Sequence, residues 1–150
     1  MARAGTAGRR IVTPLSYGDA GYAEMVTTRG RALFGDAFVP LRQFLPLDEY
    51  QALIADCSTV VMGHRRQQAV GNVAAALWTG AQVVLHDRSP LFTFLRDRGA
   101  HVAPLSSIAA TGVPYERAST QQLADNRRVL NEFWSRERVL ANIRELVSSA

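Results

Sequence analysis

Thr59-Val60-Val61-Met62-Gly63-His64-Arg65-Arg66-Gln67-Gln68-Ala69-Val70-Gly71-Asn72 passes from an apolar run, through a cationic polar turn, into a helix-like segment. The continuous run Thr59 to Met62 predicts a strand of the kind buried on both faces. A helix is expected from about Gln68 to Trp78, ended by Gly80. The first turn of a helix has unpaired backbone N–H groups and the positive end of the dipole, so it attracts anions. Arg65 and Arg66 add charge, His64 adds a ring donor, and Gln67 and Gln68 add neutral donors. Gly71 costs up to ~1 kcal/mol relative to alanine inside a helix, so it needs a reason. Close approach of a ligand supplies one. A packing glycine beside a solvated basic loop is the plainer alternative.

The same alternation extends in both directions. Short strands are expected at Ile11–Leu15, Phe38–Leu41, Gln82–Leu85 and His101–Ala103. Helices are expected at Tyr22–Phe34, with Met25, Val26, Leu33 and Phe34 at roughly helical spacing, and from Asp48, with Tyr50, Leu53, Ile54 and Cys57 on one face. Ser89-Pro90 reads as an N-cap followed by proline at the first helical position, opening a helix to Arg98. Leu105 to Arg117 reads as loop with a weak turn near Ile108, and two amphipathic helices follow within about 121–148. Five strands alternating with helices predict an α/β domain at residues 11–150. Its expected form is a Rossmann-like open parallel sheet of about five strands with helices on both faces. Residues 1–10, small and basic without an apolar core, read as a flexible leader or the scar of a longer chain.

Ligands of such sheets sit at the carboxyl ends of the strands. The turn after the first strand offers Ser16 and Gly18 to a phosphate and Tyr17 to a base or sugar; it could equally be an ordinary turn. After the second strand, Phe44 and Leu45 could border a nucleobase or simply cap the core. After the fourth, the run from His86 to Ser89 could reach sugar hydroxyls through Asp87 and Ser89, unless Asp87 pairs with a neighbour. No G-x-G-x-x-G is present, and His64, His86 and His101 lack the spacing of a metal site. No Ser–His–Asp or Cys–His order can be defended, so the catalytic residues stay unassigned.

The 150 residues are 47% hydrophobic and 20% charged, the balance of a soluble globular domain. No apolar run approaches the ~20 residues that span a bilayer. A single cysteine, Cys57, excludes an internal disulfide and fits a reducing cytoplasm, with a buried structural thiol as its expected role. The net charge is +4, and all 17 basic residues are arginine, the side chain that grips phosphate bidentately. Such a surface could also meet nucleic acid or an anionic membrane. Nucleic acid is the weaker expectation, because two arginines stand together at a ligand-binding turn rather than spread along one face. Arg127, Arg128, Arg136 and Arg138 remain available for such a face.

Pro14-Leu15-Ser16-Tyr17-Gly18-Asp19, Phe38-Val39-Pro40-Leu41 with Phe44-Leu45-Pro46 and Glu49-Tyr50, and His64-Arg65-Arg66-Gln67-Gln68 with Gly71-Asn72 together resemble a known family. It is the bacterial TDP-N-acetylfucosamine:lipid II N-acetylfucosaminyltransferases (4-alpha-L-fucosyltransferase-like, glycosyltransferase family 56), of enterobacterial common antigen synthesis. The resemblance spans roughly residues 11–108, and its specific core is His-x-Arg-Gln-Gln-x-x-Gly-Asn. Arg65 stands where the family commonly has lysine, which keeps the charge. The order of parts also parallels the donor half of the peptidoglycan N-acetylglucosaminyltransferase.

The resemblance implies the C-terminal, donor-binding half of a two-domain GT-B glycosyltransferase. It would move a dideoxy amino sugar from a dTDP-sugar to a lipid-linked saccharide, without a metal cofactor. His64, Arg65, Arg66, Gln68, Gly71, Ser16 and Gly18 would hold the diphosphate. Tyr17, Phe44, Leu45, Gln67, Asn72, Asp87 and Ser89 would meet base, ribose or sugar. Activity is expected only with an N-terminal acceptor domain, which this chain does not resemble. A cytoplasmic location, with peripheral contact at the inner membrane face, is implied as well. Two rivals are a GT-B-type nucleotide-sugar epimerase fragment and a non-catalytic nucleotide-binding or basic interaction module.

Overall fold

A computed structural model of the chain describes residues 8–113 and 116–148. Most of the expected leader, residues 1–10, lies outside the described residues. The chain divides into two compact units, Met1–Pro46 and Leu47–Ala150.

The first unit is a βαβ hand. Strand β1 (Ile11–Pro14) leads to helix α1 (Ala20–Phe34), a 3-10 turn at Gly35–Ala37, and strand β2 (Phe38–Leu41). The strands pair in parallel with Ile11 opposite Phe38 and Pro14 opposite Leu41. The Asp19 carboxylate caps α1, accepting the Tyr22 N–H at 2.6 Å. The buried stripe of α1 is Ala23, Thr27 and Gly30, not the larger residues its spacing suggested; Met25 is 59% exposed. The reason lies at Gly30, where a Cβ would run into the Phe38 ring. Helix and strand approach too closely for anything but small side chains. That close approach is a tertiary fact which apolar periodicity does not carry.

The second unit holds a three-stranded parallel sheet in the order β3-β4-β5, with β3 at Thr59–Met62, β4 at Gln82–Leu85 and β5 at Val102–Pro104. Helix α2 (Leu47–Asp56) precedes β3, α3 (Val70–Thr79) joins β3 to β4, and α4 (Pro90–Asp97) joins β4 to β5. The short α5 (Ser107–Thr111), α6 (Thr120–Trp134) and α7 (Arg136–Ser148) follow. The short α5 falls at the weak turn expected near Ile108. A capping box opens α6: the Ser119 hydroxyl accepts from the Gln122 N–H, and the Gln122 amide oxygen accepts from the Ser119 N–H.

The α/β class and the parallel strands agree with the sequence reading. The ladders, however, divide into two sheets of two and three strands, so no hydrogen-bonded ladder among the described residues makes one sheet of five. The doubly buried strand is also β4 rather than β3: Val83, Val84 and Leu85 are buried, whereas Val61 is 47% exposed. β4 pairs on both sides and β3 on one. Their sequences are nearly alike, so lateral position alone decides which is covered.

The core gathers Leu77 of α3, Val83 of β4, Leu95 of α4 and Val129 of α6, each 0–1% exposed. Burying one such aliphatic side chain contributes about 1.5–3 kcal/mol, so this quartet fixes the sheet against its helices. The Arg117 guanidinium donates to the carbonyls of Ala55 and Cys57, at and just past the end of α2, and of Thr79, at the end of α3. It satisfies acceptors that helix ends leave open. Cys57 is half-buried; burial pushes its thiol pKa up, with the Asp56 charge adding and Arg117 opposing. It is a structural thiol.

Candidate anion-binding site

The carboxyl ends of β3 and β4 lie side by side because Met62 pairs with Leu85. The His86 N–H donates to the Met62 carbonyl at 3.1 Å, so the turns leaving the two strands are neighbours. Residues 63–69 of the first turn are all exposed. Helix α3 then starts at Val70, two residues later than expected, because Ala69 adopts a left-handed conformation with φ 53°. It is the one non-glycine with positive φ among the described residues. An alanine there is strained by about 1–2 kcal/mol. Strain of this kind concentrates at ligand sites.

Helix α3 has no side-chain cap. The Ala69 carbonyl accepts from the Asn72 and Val73 N–H groups at 3.0 and 3.1 Å. The N–H groups of Val70 and Gly71 are left as the helix's unpaired donors. Gly71 therefore lies in the first turn of α3. A Cβ built on it meets nothing within 4 Å. Packing does not require this glycine, and the space beside it is open.

Arg65 and His86 meet between these two turns. The Arg65 Nε lies 3.4 Å from His86 Nε2, and the Arg88 backbone N–H lies 3.0 Å from His86 Nδ1. A neutral imidazole has one acceptor nitrogen, not two. Each contact needs that lone pair, so only one of the two is a full hydrogen bond, and the Arg65 contact is the longer. In either tautomer His86 holds Arg65 beside the turn that leaves β3.

His64, Arg66, Gln67 and Gln68 are exposed on the same turn and make no side-chain hydrogen bond or ion pair among the described residues. Asn72 donates to the Tyr50 hydroxyl at 3.0 Å, tying α3 to α2. Asp87 accepts from both the hydroxyl and the N–H of Ser106. The Ser106 hydroxyl is the main reason the Asp87 carboxyl lies below the usual carboxylate range. Ser89 is only 4% exposed; its N–H donates to the His86 carbonyl and its carbonyl accepts from Thr93, so it stands inside the turn.

Within the first unit, the turns after β1 and β2 bring Tyr17 and Phe44 together, both largely exposed, with ring centroids 6.4 Å apart and planes 18° from parallel. Ser16 and Leu45 are half-buried beside them in sequence, and Gly18 has φ 96°, a value that favours glycine.

His86 and Ser106 are participants that the sequence reading left without a role. Strand register is the signal for both: with Met62 opposite Leu85 and Leu85 opposite Pro104, the residues just past each strand end become neighbours. His101 pairs with Asp125 at 3.0 Å, and its backbone N–H donates to the Asn126 side chain at 2.7 Å. Among the described residues, no three His, Cys, Asp or Glu side chains gather as a metal site, and no helix is long and apolar enough to cross a membrane. Compared with protein-family models, curated proteins and solved structures, the chain matches none of them.

Proposed function

We propose that the turn from His64 to Asn72 binds the diphosphate of a nucleotide-sugar, and that the chain is the donor-binding part of a GT-B-type glycosyltransferase. The observation that carries this reading is the exposed cationic turn, with Arg65 held at His86, that leads into the uncapped N-terminus of α3. A phosphate group meets both the arginine charge and the positive end of the α3 dipole. When the glycosyl bond breaks, negative charge grows on the departing diphosphate. Donors already fixed in place stabilise that charge more than they stabilise the intact substrate. Arg66, His64, Gln67 and Gln68 extend the donor set on the same turn. Asn72 and Asp87, each already bonded within the protein, would serve mainly by holding that turn.

The finer parts of the proposal rest on the resemblance of residues 11–108. They are a Rossmann-like arrangement of about five strands, a dTDP-linked dideoxy amino sugar as donor, and a lipid-linked saccharide acceptor bound by a separate N-terminal domain. Work at the inner face of the cell membrane belongs with them. Tyr17 and Phe44 present flat faces of the type on which a nucleobase stacks.

Isothermal titration with dTDP and UDP tests the reading. Binding of at least one is expected, and Arg65→Ala should weaken it by about 1.5–3 kcal/mol, the range for a hydrogen bond to a charged group. Absence of binding to either nucleotide at millimolar concentration sinks the proposal.

A further inference from the structure

A second feature of the Leu47–Ala150 unit lies away from the nucleotide turn. Helices α2, α3 and α6 enclose an open groove of about 550 Å3, walled by Ala52, Ala55, Ala74, Ala75, Trp78 and Trp134. The four alanines make a floor low enough for another helix to approach. Trp78 and Trp134 are the only tryptophans of the chain, and both stand partly exposed in the walls.

Helix α7 has the opposite shape. None of its residues is buried, and Val139, Leu140, Ile143 and Val147 form an exposed apolar stripe at helical spacing. An isolated helix of this length is marginal in water, so a 13-residue helix needs a surface to pack on. The charges match along the α2 edge, whereas Arg127 lies over the Trp78 ring on the α3–α6 side and Arg117 bonds the Ala55 carbonyl at one end. Helix α2 carries Asp48, Glu49 and Asp56 and no basic residue, whereas α7 carries Arg136, Arg138 and Arg144 beside two glutamates. Asp48 and Asp56 stand four residues before and after Ala52, on the side of α2 that forms the groove wall.

We propose that the chain forms a two-fold dimer in which α7 of each copy lies in the α2–α3–α6 groove of the other. Such an exchange is isologous and closes on itself. Helix α7 is about 20 Å long. Each copy contributes one helix face and one groove, so the same contact is made twice. The arginines of α7 then meet the acidic rim of α2 across the contact and set the direction of the inserted helix.

Sedimentation velocity on the full chain across the micromolar range, with tryptophan emission read in parallel, tests the dimer. A reversible dimer is expected, with emission shifting to the blue on association because both tryptophans line the contact. Ile143→Asp and Ala52→Arg change side chains exposed in the single copy, so the fold should tolerate both. Each is expected to weaken dimerisation more than about tenfold by burying a charge or filling the groove, and to remove the blue shift. Nucleotide binding should stay at the wild-type level in both variants. A wild-type chain that stays monomeric overturns the proposal, including one that remains monomeric while its α7 binds phosphatidylglycerol vesicles. So does a dimer broken by Ile143→Asp and left intact by Ala52→Arg, since α7 would then pair with α7.

Discussion

Replacing Gly71 with alanine separates a glycine kept for folding from one kept for a ligand. The substituted methyl would meet no protein atom within 4 Å, and the position has ordinary helical backbone with no positive φ. Alanine is the better helix former by about 0.8–1.0 kcal/mol in a helix interior. In the first turn of α3 the gain should be smaller, about 0.5 kcal/mol, which raises the melting temperature by roughly 1–3 °C. The diphosphate, if it sits over the Val70 and Gly71 N–H groups, occupies the space that the methyl would fill. Forcing a methyl into an occupied site costs about 1–3 kcal/mol, so the dissociation constant for dTDP should rise about 5- to 150-fold. Urea unfolding gives the first quantity and isothermal titration the second. A variant more stable than the wild type that binds dTDP equally well refutes placement of the diphosphate over this terminus. A destabilised variant refutes the open geometry itself.

Two further substitutions probe the frame. Gly30→Ala drives a methyl into the Phe38 ring and should destabilise the first unit by about 1–3 kcal/mol, seen as faster amide exchange in α1 and β2; unchanged exchange would mean that helix and strand can separate freely. Asp125 is held below the usual carboxylate range chiefly by its hydrogen bond to His101, with help from Gln121 and the nearby charges of His101 and Arg128. Its folded pKa is below its unfolded value, so its contribution is present above the ordinary value of about 3.9 and is lost as pH falls through the folded value. Asp125→Asn should therefore be less stable than wild type at pH 6, with the difference shrinking towards pH 2 in urea titrations. A difference independent of pH would assign the effect to something other than this carboxylate.

Much of the architecture is legible in the sequence. Strands β2, β3 and β4 fall at the residues their apolar runs marked, because a four-residue apolar stretch between turn signals has few other uses. Proline at the first turn of α4 likewise marked its start. The cationic turn between β3 and α3 was legible too, since its residues adjoin in the chain. The start of α3 was not, because Ala69 carries no signal of its left-handed backbone; glycine or asparagine would have.

The sequence by itself determined the alternation of strand and helix, the parallel direction of the strands, and the concentration of arginine and amide side chains at one strand-to-helix turn. These follow from local periodicity and from neighbours along the chain. Tertiary structure alone decided that β4 rather than β3 is buried on both sides, that Gly30 meets Phe38, and that Asp87 is bound to Ser106. It also decided that His86 faces Arg65. Each of these depends on which strands lie side by side and in what register. Pairing across a sheet joins residues about twenty positions apart, and a period of two or 3.6 along the chain contains no information about that distance.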